Sequence, residues 1–283
     1  MIVVSGPSSQ LLSWKVGKEG GFEVVDMEYS RFPDGESYLR ICEDVDGEDV
    51  AIIQSTRFDQ DFIPLLQLID ACEKAHRIVV IMPYMGYARQ DKQFKPGEPI
   101  SSRAVARSIE ADEVVLINVH SELVMNYFMC DVTNLDASKL LGEYFAKMNL
   151  SDPLFVAPDE GAISLAEEAA KIVNAEYSYF KKKRITPENV ITSGEMNAMG
   201  RDVVLIDDII STGGTMVEAI SRLKEVGARN VYVSCVHPVF VKNAMLRLYR
   251  AGAEEIVFTD TIESFQSKVS VAPIIARHLK SLS

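Results

Sequence analysis

VVLIDDIISTGGT, residues 203–215, runs four apolar residues into two carboxylates and then into a turn of Ser, Thr and Gly. The apolar run reads as a strand buried on both faces. The next stretch, MVEAISRLKEVGA, puts Met216, Ile220, Leu223 and Val226 on one helical face, with Gly227 at the stop. Ligands of open α/β sheets bind beyond the carboxyl ends of strands, so Asp207 and Asp208 arrive at a binding edge. The turn that follows suits an anion: its N–H groups and the helix dipole favour negative charge. Gly213 and Gly214 allow close backbone approach and positive φ, and Ser211, Thr212 and Thr215 add hydroxyl donors. Acids beside an anion turn make sense for a ligand with phosphate at one end and hydroxyls at the other, because carboxylates accept hydrogen bonds from hydroxyls. Ribose 5-phosphate meets both needs. A capped helix after a strand, without any ligand, has the same pattern. The stretch is neither a Walker loop nor GxGxxG.

Working outward, short β-branched runs alternate with amphipathic segments. Strands are predicted at 2–5, 50–53, 77–83, 113–119, 154–158, 203–206, 230–236 and 254–258. The alternation predicts an α/β fold with mostly parallel sheets. Ile52–Pro83 and Val204–Pro238 read alike as strand, Ser-Thr turn, helix, strand and Pro, which suggests two similar halves, 1–145 and 146–283. ITPENVITSGEMNAMGR, residues 185–201, reads as a long irregular loop, and such loops act as lids or binding loops.

Composition narrows the function. The 283 residues carry 29 Lys and Arg against 41 Asp and Glu, a net charge of −12. This argues against a nucleic-acid-binding surface. Phosphate handling by so acidic a chain needs local cations or a metal ion. Cys42, Cys72, Cys130 and Cys235 are scattered, as buried thiols of a reducing compartment are. The N-terminus has no leader pattern, and no apolar run is long enough to span a bilayer. A soluble cytoplasmic protein without membrane or nucleic-acid partners is expected.

The STGGT turn resembles the phosphoribosyl-pyrophosphate loop of phosphoribosyltransferases and ribose-phosphate pyrophosphokinases. RFPDGE (Arg31–Glu36), PYMGYARQDKQF (Pro83–Phe94) and NVHSE (Asn118–Glu122) extend the resemblance to the ribose-phosphate pyrophosphokinase family over nearly the whole chain, and the short length is similar to its archaeal branch. The resemblance implies two phosphoribosyltransferase-like domains, an ATP-binding N-terminal half and a ribose-5-phosphate-binding C-terminal half. It implies transfer of the pyrophosphoryl group of Mg-ATP to the 1-hydroxyl of ribose 5-phosphate, giving AMP and 5-phosphoribosyl 1-pyrophosphate for nucleotide biosynthesis. The implied cofactor is Mg²⁺.

By that resemblance, Phe32, Asp34, Gly35, Glu36, Arg89, Gln90, Asp91 and His120 bind ATP. The RFPDGE hook enters the adenine site of a neighbouring subunit, so the chain forms a homodimer or higher homo-oligomer with a shared active site. Taken alone, Pro-Asp-Gly is plain turn chemistry. His120 and Asp159, the latter in APDEGA (Ala157–Ala162) with Gly161 beside it, are the implied metal ligands. Asn118 stands where the family usually has an acid two positions before the His. In KKKR (Lys181–Arg184), Lys182 and Arg184 match the family's catalytic Lys-x-Arg pair, although a charge run is by itself a solvated face. Arg184, Asp207, Asp208, Ser211, Thr212, Gly213, Gly214 and Thr215 are the implied ribose-5-phosphate residues. His76, His237 and His278 read as structural. A phosphoribosyltransferase and a non-catalytic regulatory homologue are the competing readings.

Overall fold

The computed structural model describes residues 1–184, 190–193 and 197–282. The chain divides into two units. One comprises Met1–Asp136, Thr261–Phe265 and Ser270–Ser283, and the other Ala137–Asp260 and Gln266–Val269.

The first unit runs β1 (Ile2–Ser5), α1 (Gln10–Gly20), β2 (Glu23–Val25), β3 (Met27–Arg31), β4 (Ser37–Ile41), β5 (Asp49–Ile53), α2 (Phe62–Ala71), β6 (Arg77–Met82), α3 (Ser101–Ala106), β7 (Glu113–Ile117) and β8 (Asp131–Leu135). Six strands form a parallel sheet in the order β2-β1-β5-β6-β7-β8. Val50, Ile52, Val80 and Met82 pack with Leu65 and Leu68 of α2, while the alternate residues Ala51, Ile53, Val79 and Ile81 are equally buried. Burial on both faces explains why these strands read as unbroken apolar runs. β3 and β4 make a separate antiparallel hairpin.

The second unit runs α4 (Ser138–Ala146), β9 (Leu154–Ala157), α5 (Ile163–Val173), β10 (Glu176–Tyr179), β11 (Lys181–Arg184), β12 (Val190–Ser193), β13 (Asp202–Ile209), α6 (Gly214–Glu225), β14 (Asn230–His237), α7 (Ala244–Ala251) and β15 (Ala253–Phe258). Its parallel sheet has the order β10-β9-β13-β14-β15, and β11 pairs antiparallel with β12. The last helix, α8 (Ala272–Leu282), returns to the first unit. There Arg77 Nη1 donates to the Leu282 carbonyl at 3.0 Å, and His278 Nε2 lies 2.9 Å from Glu113 Oε1.

The two-domain α/β architecture is as the sequence predicts, and individual elements differ. Helix α4 groups with the second unit and packs on α5 so closely that a Cβ on Gly142 would sit 2.6 Å from the Ala169 carbonyl oxygen. The strand predicted to reach 119 ends at Ile117, where Asn118 takes φ 38°. Helix α6 stops at Glu225, leaving Val226 46% exposed, and Gly227 turns the chain with φ 86°. The stretch 185–201, expected to be irregular, contains strand β12, as the run Val190-Ile191-Thr192 favours. Residues 185–189 and 194–196 of it lie outside the described residues.

Candidate active site

In the second unit, the chain leaves β9 for β10 on one side of the sheet and leaves β13 for β14 on the other. β9 and β13 are direct neighbours, with Leu205 opposite Val156. Their loops therefore part at the carboxyl edge and leave a crevice there, the place where open α/β sheets bind ligands. Asp159 stands on one lip of this crevice, and Asp207 and Asp208 stand on the other.

Asp159 has an extended backbone, and its Oδ1 accepts from the Gly161 N–H at 3.0 Å, capping the short 3₁₀ turn before α5. A Cβ on Gly161 would approach that oxygen to 3.2 Å, so glycine keeps the cap clear. Asp207 Oδ1 accepts from Asp208 N–H at 2.9 Å, and Asp208 Oδ1 accepts from Ile209 N–H at 2.7 Å. Both carboxylates are half-buried. Burial, then the charges of Asp208 and Asp159, hold the Asp207 carboxyl well above the usual carboxylate range. All three causes favour the protonated form, and all three would be relieved by sugar hydroxyls or a divalent cation.

The turn leaves β13 through Ile210, whose N–H donates to the His237 carbonyl at 3.2 Å. It enters α6 at Gly213, which has φ 72° and no side chain with which to cap the first helical turn. Thr212, Gly214 and Thr215 are exposed, Ser211 is half-buried and Gly213 is buried. The structure thus brings Asp159, Asp207, Asp208 and residues 211–215 to one sheet edge. The backbone of Lys182 and Arg184 lies in β11, with Lys182 opposite Thr192 and Arg184 opposite Val190. Their side chains lie outside the described residues.

In the first unit, Phe32, Asp34, Gly35 and Glu36 cap the β3–β4 hairpin, and all are exposed. The tip is an ordered turn: Phe32 N–H donates to the Glu36 carbonyl at 2.8 Å, Glu36 N–H donates to Asp34 Oδ1 at 3.2 Å, and Gly35 takes φ 96°. Phe32 meets Tyr38 edge-on with ring centroids 6.0 Å apart.

Arg89 is exposed and Gln90 and Asp91 are half-buried. Their backbone is tied down: the Gln90 carbonyl accepts from Ser102 Oγ at 3.0 Å and the Asp91 carbonyl from Tyr127 Oη at 2.7 Å. The Gln90 side-chain oxygen accepts from Ser101 Oγ, so the side chain also anchors α3. His120 is exposed just past β7. Asn118 occupies a left-handed backbone position that Asn tolerates, and its Nδ2 donates to Asp136 Oδ1 at 2.9 Å.

Sequence reasoning missed Arg57, Phe58 and Tyr87, which line a cleft of about 530 Å³ where β5 and β6 end. Tyr87 has φ 62° and hydrogen-bonds Asp59. Tyrosine rarely takes a left-handed backbone, so the residue type gives no sign of it. Among the described residues, no group of three or more His, Cys, Asp or Glu forms a metal cage, and no helix is long and apolar enough to cross a membrane.

Residues 1–112 match the N-terminal domain of ribose phosphate pyrophosphokinase, and residues 132–272 match the phosphoribosyl transferase domain. A ribose-phosphate pyrophosphokinase of Methanosarcina acetivorans is 50% identical over 100% of both chains. Ribose-phosphate pyrophosphokinase 2 of Archaeoglobus fulgidus is 41% identical, with 99% of this chain and 100% of that one covered. The crystal structure of phosphoribosylpyrophosphate synthetase from Mycobacterium smegmatis superposes with a TM-score of 0.86 at 30% identity, covering 99% of this chain and 98% of that one. Likeness at this level runs through both units, and the chain belongs to the ribose-phosphate pyrophosphokinase family.

Proposed function

We propose that this chain transfers the pyrophosphoryl group of Mg-ATP to the 1-hydroxyl of ribose 5-phosphate, releasing AMP and 5-phosphoribosyl 1-pyrophosphate. Family membership supports the reaction, and one observation carries the assignment of the sugar site. Asp207 and Asp208 end β13 directly before the turn at Gly213, so acceptors for hydroxyls and amides for phosphate stand one loop apart. In this reading the 5′-phosphate rests on residues 211–215 and the ring hydroxyls on the two carboxylates.

ATP belongs to the first unit, with its base against Phe32, Asp34, Gly35 and Glu36 and its polar contacts at Arg89, Gln90, Asp91 and His120. Exposed Phe32 and Tyr38 on a separate hairpin suit a contact made with a second copy of the chain, so that the active site is shared within a homo-oligomer.

The 1-hydroxyl oxygen attacks the β-phosphorus, the bond to the α-phosphate bridging oxygen breaks, and the hydroxyl proton is lost to solvent or a nearby base. The protein's work is alignment and charge stabilisation. Lys182 and Arg184 are the proposed cations for the transferred group and the leaving oxygen. Mg²⁺ fits the donor set: hard carboxylate oxygens gather around Asp207 without forming a closed cage. That suits an ion which keeps its waters and binds through one or two carboxylates plus phosphates. Asp159 and His120 are each proposed as metal ligands, and Mg²⁺ would neutralise the triphosphate.

Purified chain incubated with ATP, ribose 5-phosphate and Mg²⁺ should form AMP with no nucleobase present, and omission of Mg²⁺ should abolish this. Product formation only with phosphoribosyl pyrophosphate and a base would select a phosphoribosyltransferase. ATP binding without turnover would select a regulatory homologue.

A further inference from the structure

The anion turn is shaped from behind by the segment after β14. Phe240 N–H donates to the Ile210 carbonyl at 2.9 Å, Val241 N–H donates to the Ser211 carbonyl at 3.0 Å, and Arg247 Nη1 donates to the Thr212 carbonyl at 2.8 Å. Three successive carbonyls of the turn are thus held toward residues 240–247. In a trans peptide the C=O and N–H lie on opposite edges, and the chain has no cis peptide among the described residues. The N–H groups of Ser211, Thr212 and Gly213 are therefore turned the other way, away from residues 240–247. Successive N–H groups so turned make an anion-binding concavity.

The first two carbonyls are met by backbone, and this requires an unusual path. Phe240, Lys242 and Asn243 all have positive φ (35°, 52° and 58°) without being glycine. Strain of this kind persists where the surroundings over-determine it, and it gathers at functional sites. The surroundings here include the Phe240 ring, set edge-on to Phe258 with centroids 5.1 Å apart. Beyond Asn243 the chain is helical, and the Arg247 N–H donates to the Asn243 carbonyl at 3.1 Å. The third carbonyl is met by a side chain, that of Arg247. Ala244 and Leu248 share that helix face and back Gly213, with atoms 3.6 Å from where its Cβ would be.

We propose that Arg247 is a positioning residue for the 5′-phosphate of ribose 5-phosphate, acting by pinning the Thr212 carbonyl so that the Gly213 amide faces the ligand. This rests on the reading of residues 211–215 as the phosphate turn. Arg247 is exposed, so its bond competes with water and its effect is bounded.

Arg247→Met should raise KM for ribose 5-phosphate about 3- to 10-fold. KM for ATP should stay within twofold and kcat should fall less than threefold, the pattern of an interaction made equally in ground and transition states. Arg247→Lys keeps one cationic donor for one carbonyl and should restore KM to about twofold of wild type. A KM for ribose 5-phosphate unchanged in the Met variant, a rise shared equally by ATP, or a Lys variant as weak as the Met variant would overturn the proposal. Thr215→Glu, which puts a carboxylate on the exposed turn itself, separates the two levels. If it leaves KM for ribose 5-phosphate unchanged, the phosphate-turn reading fails; if it raises KM while Arg247→Met does not, only the role of Arg247 fails.

Discussion

The two units carry the same crevice in opposite states. In each, a first strand sends the chain one way and a neighbouring strand sends it the other: β1 and β5 in the first unit, β9 and β13 in the second. In the second unit the lips hold Asp159, Asp207 and Asp208, and the charges of Asp208 and Asp159 help to raise the proton affinity of Asp207. In the first unit the lips are bonded to each other. Gln54 Oε1 accepts from Ser8 N–H at 3.0 Å and Gln54 Nε2 donates to the Asp61 carbonyl at 3.1 Å. Ser55 N–H donates to Ser9 Oγ at 2.9 Å, and Ser8 Oγ donates to Asp61 Oδ1 at 2.7 Å. Gln54 fills the space over Gly6, where a Cβ would sit 2.0 Å from its Oε1. One crevice is laced across by its own polar groups, and the other gathers the acids proposed above to meet a ligand. A conserved topology thus supplies only the place for a site; side chains decide whether it is open.

The hairpins differ in the same manner. β3–β4 follows β2 and presents an aromatic and acids, while β11–β12 follows β10 and carries the KKKR run. The comparison predicts that the cations act only on chemistry. Lys182→Ala should lower kcat by about 10²–10³-fold, as loss of a preorganised charge-stabilising donor does, and leave ATP affinity by calorimetry within threefold. An unchanged kcat would remove the hairpin from the reaction and level the contrast. Asp208→Ala should come next in size, raising KM for ribose 5-phosphate about 10-fold or more through loss of a charged acceptor. An unchanged KM would mean that the open crevice does not hold the sugar hydroxyls.

The apolar strands and the Asp-Asp-turn-helix of the open crevice were legible because each is a local pattern: four buried residues in a row, then residues chosen for charge and φ. The closed crevice was not legible, since Gln54, Ser8 and Asp61 meet only through tertiary structure and none is unusual in sequence. The same is true of Arg247 and the positive φ of Phe240, Lys242 and Asn243, where Phe and Lys give no sign of a left-handed backbone. Asn118 could be seen to depart from the family pattern, but its bond to Asp136 across to the end of β8 could not. Strands β3, β4 and β8 were missed because they are short and polar-faced, with no continuous burial to mark them.

The closed crevice predicts a residue important for stability and irrelevant to turnover. Gln54 is fully buried and both ends of its amide are bonded. Gln54→Ala leaves the Ser8 N–H and the Asp61 carbonyl without those partners, at a cost of about 1–3 kcal/mol. Thermal unfolding should shift down by roughly 4–8 °C, with both KM values within twofold of wild type at 25 °C. A changed KM with an unchanged Tm would show that the first unit's crevice binds substrate after all, and the contrast between the units would collapse.

The open crevice predicts the opposite, a substitution that stabilises. The two ends of β13 frame the case. At its start, burial raises the Asp202 carboxyl, but Arg229, the Ser151 N–H and Asn230 outweigh it and hold the group below the usual carboxylate range. Its stabilisation is present above an unfolded value of about 3.9 and is lost as pH falls through the folded value. At the other end Asp207 is raised, so its sign is reversed: the folded chain holds the proton more tightly, and stability declines as pH rises from about 4 through the folded value. Asp207→Asn removes that decline. Without ligands its melting temperature should exceed that of wild type by at least about 2 °C at pH 7.5, with the difference shrinking toward pH 4. Ribose 5-phosphate with Mg²⁺ should narrow the gap at pH 7.5 by stabilising wild type more than the variant. Scanning fluorimetry across this range tests both. An Asn variant less stable than wild type at pH 7.5 would mean that the acids at the end of β13 are already satisfied, like those of the first unit.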